Sequence, residues 1–439
     1  MVHPSGANIM FVGETQPRLH PSAFQVIAAG YLESGSWPLS ATQLLFPRPP
    51  RFTLQSRRRL AEARLAQALL DRPGRYALAA LRREAADARG SVALIEQSEP
   101  QSNREWMLLG LACLDVREPD SDLRALAAFR RAVAIADDNN VRIASLIGSA
   151  RALLRLGNVD EAELQLAAAV TLDPMHAEAA GRYGRVLART DPERAVDWLG
   201  QRIAEGNGRA AVLASWAGAL AAAGRLAQAE AAIGLDRFLQ RSSGATPPGW
   251  DTLDAFHAAV AAELADHPAR RPERIGSASV ASVRIDEPHL TGSRHMAALE
   301  AHLATLIGAH LDRLEGDHPL ILARPATALV RYWVLLSDGE GHQIPHAHPS
   351  GWLSGVYYLA VPDAIAGGSG PAGCLQFALP EKASAPGRAI EGPIVRPRAG
   401  LFVTFPAHAH HRTFPYAPAI GDTAPRIVVA FDLEPRADG

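Results

Sequence analysis

Between residue 57 and about residue 235 the chain repeats itself. Ala128, Ala162, Ala195 and Ala229 follow one another at intervals of 34, 33 and 34 residues. Gly157 and Gly224 each stand five residues before one of these alanines. The stretch is rich in Ala, Leu, Arg and Glu, as in RRRLAEARLAQALL and LRALAAFRRAVAIA, and its apolar residues recur every three or four positions. That is the period of amphipathic helices. A spacing near 34 narrows the choice further, because one helix pair cannot bury its apolar face alone and must stack on its neighbours. Alanine allows close helix crossing, and glycine supplies a left-handed turn residue. A generic alanine-rich bundle is the rival reading, and the recurring interval argues against it.

The segment LGNVDEAELQLAAAVTLDP (156–174) resembles the second helix of a tetratricopeptide unit, with Pro174 closing it. The texture then changes. RSSGATPPGW (241–250) has the composition of a linker. Two helical patterns follow, 251–266 and 294–314. After Pro319 come ATALVRYWVLLS, WLSGVYYLAV, GCLQFAL, GLFVTFP and RIVVAFDL, all β-branched and aromatic, separated by Gly, Pro, Asp and Ser. No ten-residue helical pattern lies between them, which predicts an antiparallel sheet packed as a double-stranded jelly roll. The expected class is a multidomain α + β chain. It has a partly irregular segment (1–56), a helical repeat domain (57–236) and a β-helix domain with leading helices (237–439).

Six of the 16 histidines fall in two short windows: His342, His346 and His348, then His408, His410 and His411. His318 stands apart from both. On an extended segment, positions i and i+2 point the same way, so His346 and His348 share a face. A third ligand would come from a strand edge folding back beside them, and GLFVTFPAHAHH offers one. Neutral imidazole suits Fe, Zn, Cu and Ni, and a centre with open positions is catalytic in layout. Surface or hydrogen-bonded core histidines are the alternative. Arg426 opens an otherwise apolar strand. Inside a barrel it would need an anionic partner, since an unpaired buried charge is costly. Its fork matches a carboxylate. A surface arginine, or one paired with Asp422 or Asp432, explains it equally well.

Other properties bound the function. A formal net charge of -2 gives no general drive toward nucleic acid or anionic membrane. Only two cysteines, Cys113 and Cys374, exclude a disulfide framework and a thiolate zinc site, and suit a reducing compartment. No apolar run is long enough to span a membrane and the start lacks a signal-peptide pattern, so a cytoplasmic location is expected.

Taken in order, HAHPSGWLSGVYYLAVP, GLFVTFPAHAHH and RIVVAFD resemble the 2-oxoglutarate- and Fe(II)-dependent oxygenases fused behind tetratricopeptide repeats. The resemblance runs from about residue 237 to residue 439. It implies a double-stranded β-helix with Fe(II) at one mouth, 2-oxoglutarate as cosubstrate and O2 as oxidant. It makes His346, His348 and His411 the metal ligands, with His348 where the wider superfamily has a carboxylate. His408 and His410 flank the motif as less favoured ligands. Arg426 would hold the distal carboxylate of 2-oxoglutarate and Tyr358 would add a hydroxyl, whereas Tyr357 points to the core. Trp352, Ser354 and Gln343 are candidate pocket residues, and Val356, Leu401, Val403 and Val429 a candidate apolar wall. The expected activity is hydroxylation of an unidentified prime substrate, a protein or peptide held by the repeats. Two alternatives stay open: a cupin-like metal enzyme that does not use 2-oxoglutarate, and a repeat-containing binding protein with a degenerate oxygenase domain.

Overall fold

The computed structural model describes residues 8–11, 24–27, 42–46, 53–66, 71–272, 278–337, 339–379, 390–417 and 425–436. Eleven helices come first: α1 (Leu54–Ala66), α2 (Arg72–Glu84), α3 (Ala88–Gln97), α4 (Asn103–Val116), α5 (Ser121–Ala134), α6 (Asn139–Arg155), α7 (Val159–Leu172), α8 (Ala177–Leu187), α9 (Pro192–Ala204), α10 (Ala210–Ala222) and α11 (Leu226–Ile233). They stack as antiparallel hairpins. The four periodic alanines sit on α5, α7, α9 and α11, one per second helix, and all are buried. Gly157 and Gly224 occupy the turns before α7 and α11 with φ of +82° and +79°, the left-handed state their spacing predicts. Phe129 on α5 locks one such crossing, because a Cβ on Gly110 of α4 or Gly148 of α6 would meet its ring at 2.7 or 2.4 Å.

A single turn, α12 (Leu235–Phe238), leads into the β region. The main sheet has ten strands. Its continuous path runs β1 (Asn8–Phe11), β2 (Phe24–Ile27), β3 (Gln43–Leu45), β8 (Thr327–Ser337), β15 (Arg426–Pro435), β10 (Leu353–Ala360), β13 (Leu401–Pro406) and β4 (Gln240–Ser243). Two more strands branch from β8: β7 (Val283–Ile285) pairs with it, and β5 (Arg270–Pro272) pairs with β7. A second sheet orders β12 (Ile390–Val395), β11 (Leu375–Leu379) and β14 (His411–Thr413). A short ladder pairs β6 (Ser279–Val280) with β9 (His342–Gln343).

Two features differ from the sequence reading. The segment expected to be a linker opens with β4, an edge strand on β13. Its polar residues suit a half-solvated edge, which composition alone does not separate from a linker. The pairing is antiparallel except for β3, which joins β8 in parallel and brings the N-terminal segment into the sheet.

The main sheet is buried on both sides. On β15, Ile427, Val429, Phe431 and Leu433 face outward into a core with Phe256, Val260, Met296 and Leu303, which belong to α13 (Leu253–Ala265) and α14 (Arg294–Leu311). The alternate residues point inward, where Val428 joins Leu375, Phe377, Val403 and Phe405. The same apolar cluster continues into the helical stack. Cys113 and Cys374 are free and buried. Among the described residues, no helix is long and apolar enough to cross a membrane.

Candidate metal centre

Backbone pairing builds the site. His346 and His411 exchange both main-chain hydrogen bonds, at 3.0 and 2.9 Å, and the His348 N–H donates to Ala407 O at 2.9 Å. The loop before β10 is thereby zipped to the loop that enters β14. Three rings converge: centroids lie 4.2 Å apart for His346 and His411, 5.0 Å for His346 and His348, and 5.1 Å for His348 and His411. One ring nitrogen from each lies within 4.8 Å of the other two.

The hydrogen bonds fix the tautomers. Nδ1 of His346 meets Ile344 O at 2.8 Å, and Nδ1 of His411 meets Ala409 O at 3.1 Å. A carbonyl only accepts, so both Nδ1 atoms carry the proton. Nδ1 of His348 meets Asp432 Oδ1 at 2.6 Å. Each Nε2 is left with its lone pair, and that of His348 is buried without a partner. Burial, reinforced by the neighbouring His348, pushes the pKa of His346 down to about 3. Burial, then His346 and His348, holds His411 well below the ordinary histidine range. Three oriented imidazoles with an orphaned Nε2 fit a divalent transition metal with open positions.

The sequence reading missed the role of Asp432. It stands behind His348, where its Oδ1 also accepts from Ser354 Oγ at 2.6 Å. The carboxylate that the wider superfamily has at the His348 position is thus present one hydrogen bond further out. The available signal was parity: Asp432 lies six residues after Arg426 on one strand, hence on the same face. Trp333 stacks on His348 at 5.8 Å, and Phe405 packs edge-on to His411 at 4.8 Å.

A small pocket opens beside His411, with Arg426, Tyr358, Thr413 and Ser337 among its lining. Arg426 is only 5% exposed, and its Nε has no hydrogen-bond partner. Its guanidinium lies 5.7 Å from the Tyr358 ring. Burial raises the Tyr358 pKa, and the arginine opposes the rise. Asp432 is occupied by His348 and Ser354, Asp422 lies outside the described residues, and Arg426 makes no ion pair among those described.

The remaining candidates separate cleanly. Gln343, His342 and Val356 line the pocket. Ser354 supports Asp432, and the Trp352 indole donates to Leu320 O at 2.7 Å. Tyr357 points away, its hydroxyl 2.7 Å from His257 Nε2 and 3.2 Å from His302 Nε2. The expected wall needs correction. Val429 is on the outer face and Val428 and Ala430 line the pocket instead, because β15 enters with Arg426 pointing in. Leu401 and Val403 face inward but pack in the barrel core rather than the pocket. His408 is outside the ligand cluster: its Nε2 donates to Ala232 O at 3.0 Å, and its ring stacks on His318, which reaches Ala231 O at 3.2 Å. These two tie the end of α11 to the barrel. His410 is also outside the cluster, and burial, then Arg185, lowers its pKa to about 4.

Residues 331–432 match the model of the family described as "Putative 2OG-Fe(II) oxygenase". That segment is a domain of this family. It holds all three histidines, Asp432, Arg426 and Tyr358. No curated protein matches the chain. Solved structures with some likeness include a Pseudomonas putida prolyl-4-hydroxylase, at 16% identity and a TM-score of 0.30, covering 47% of this chain and 98% of that one. Another is YrrB, titled a TPR protein with an unusual peptide-binding site, at 14% identity and a TM-score of 0.30, covering 43% of this chain and 93% of that one. A third is MamA, at 16% identity and a TM-score of 0.30, covering 35% of this chain and 88% of that one. At such scores the likenesses are loose, and the geometry of the oxygenase domain stands without them.

Proposed function

We propose that the chain is an Fe(II)- and 2-oxoglutarate-dependent dioxygenase that hydroxylates a protein or peptide presented by its helical repeats. The observation that carries this reading is Arg426: a buried guanidinium without an acidic partner among the described residues, in the same pocket as His411. A cupin-like enzyme that does not use 2-oxoglutarate has no need of that cation. A degenerate domain has no need of three imidazoles held with Nε2 free.

In this reading His346, His348 and His411 hold Fe(II) through Nε2. Bound iron with 2-oxoglutarate supplies the O2-dependent oxidising power. Asp432 orients His348 and returns negative charge to a site with neutral ligands. Arg426 binds the distal carboxylate of 2-oxoglutarate as a fork, and Tyr358 borders that end of the pocket. Val356, Val428 and Ala430 keep the wall apolar and limit water. The free buried thiols suit a reducing compartment, the cytoplasm in this reading.

The test is 2-oxoglutarate affinity measured by calorimetry on anaerobic, Fe(II)-loaded protein. Arg426→Ala is expected to weaken binding by about 30-fold or more, the cost of stranding a buried carboxylate. Equal affinity in the variant would remove the cosubstrate from the reading.

A further inference from the structure

From α6 onward the helical stack is divided by charge. The first helices α6, α8 and α10 carry Arg142, Arg151, Arg155, Arg182 and Arg185 against a single acid, Glu178. The second helices α7, α9 and α11 carry Asp160, Glu161, Glu163, Glu193, Asp197 and Glu230 against Arg194 and Arg202. First helices touch one another along the stack, α4 on α6 and α6 on α8, while second helices of neighbouring hairpins make at most marginal contact. The stack therefore curves with its basic helices on the inner side.

Arg151 and Arg185 are one period of 34 residues apart, at equivalent places on α6 and α8. Neither makes an ion pair or hydrogen bond among the described residues. Arg151 is half-buried and Arg185 exposed. Arg151 faces Glu178 and Asp115 as well as Arg182 and Arg83, whereas the charges that bear on Arg185 are Arg182 and Arg189. Beyond α8 the inner face closes. Helix α10 is uncharged and almost wholly buried, and its Leu213 belongs to the core of the barrel's outer face. The basic row ends at Arg185, and the loop that carries His411 is fastened to the same stack, where His408 Nε2 donates to Ala232 O of α11 at 3.0 Å.

We propose that the inner face of the stack binds an extended acidic peptide segment and leads it to the metal centre. This rests on the oxygenase reading above and adds the substrate's charge class. Equivalent positions on neighbouring helices lie roughly 10 Å apart. A peptide in the extended polyproline II conformation advances about 3.1 Å per residue with three residues per turn, so positions three apart share one face. Carboxylates three residues apart therefore match Arg151 and Arg185, each guanidinium taking one carboxylate as a fork. A single nucleic-acid strand matches less well. Such strands are held on aromatic platforms, and among the described residues no aromatic is found with the exposed large apolar side chains.

The experiment is fluorescence anisotropy on the full chain with labelled twelve-residue probes in an Ala/Gly/Ser background. One probe carries Glu at every third position, a second carries Gln at the same positions, and a third is oligouridylate. The Glu probe is expected to bind at least about tenfold tighter than the Gln probe and to weaken with added salt. Arg151→Gln with Arg185→Gln should remove most of that preference. Arg194→Gln, which removes one charge from the outer face, should leave it within about twofold. Equal binding of the Glu and Gln probes, no binding of either, an unaffected double variant, or tighter oligouridylate binding would each overturn the proposal. The assay needs no metal, so it fails or succeeds independently of the iron reading.

Discussion

Histidines pack against both faces of the main sheet, and the two groups are built differently. On the outer face His310 has both nitrogens engaged, Nδ1 with Thr404 Oγ1 and Nε2 with Ser242 Oγ, each at 2.8 Å. His257 and His302 share the Tyr357 hydroxyl. On the inner face His346, His348 and His411 are tethered through Nδ1 alone, and their Nε2 atoms converge. Both groups include rings that burial holds neutral, His302 and His310 on the outer face and His346 and His411 on the inner. Ring nitrogens left over after the hydrogen bonds are counted separate candidate ligands from structural histidines.

The comparison can be broken most decisively at the metal. Alanine at His346, His348 or His411 should cut bound Fe(II) from about one per chain to below about a tenth, since three protein ligands leave no redundancy. His310→Ala should keep full occupancy. Metal analysis of purified variants decides both. Asp432→Asn should retain the fold and weaken Fe(II) binding by about 10- to 100-fold, the usual cost of losing a ligand's outer partner. A competition titration against a chelator reads this directly.

On the outer face the effect should be on stability. His310→Ala strands the buried Thr404 hydroxyl and removes the partner of Ser242 on the edge strand, and about 2 kcal/mol of stability should go with it, read as a lower thermal midpoint at unchanged metal content. The smallest effect concerns pH. Burial lowers His302 and His310 from 6.5 to about 4. Between those values the unfolded chain holds more protons than the folded one, so stability falls as pH drops through that window. Glu300, which accepts from the Tyr332 hydroxyl at 2.6 Å and is raised by burial to about 8, acts the other way as pH rises. The histidines outnumber it, and the apo-protein's thermal midpoint should fall by a few degrees from pH 7 to pH 5. A flat profile would mean that the outer-face histidines are not held neutral.

Local pattern made much of this legible in the sequence. The alanine interval marked the second helices, and Gly157 and Gly224 marked their turns, because each follows from a local steric need. The His346–His348 pair was legible for the same reason. Asp432 was not, because its meaning depends on β15 lying beside β10, which puts it opposite Ser354. The misplacement of Val429 is a one-residue error of phase: once Arg426 points inward, every odd-numbered neighbour must point out. Edge strand β4 was hidden because its polar composition is also that of a linker. The basic inner face of the stack shows only after the helices are sorted into inner and outer.

The most direct test of the central claim is an anaerobic titration of apo-protein with Fe(II), then 2-oxoglutarate, followed in the visible. The expected result is a weak charge-transfer band that needs both additions, fades in Arg426→Ala and is absent in His411→Ala. Bound iron without any band would contradict the 2-oxoglutarate assignment, and full iron occupancy in both His346→Ala and His411→Ala would contradict the metal centre itself.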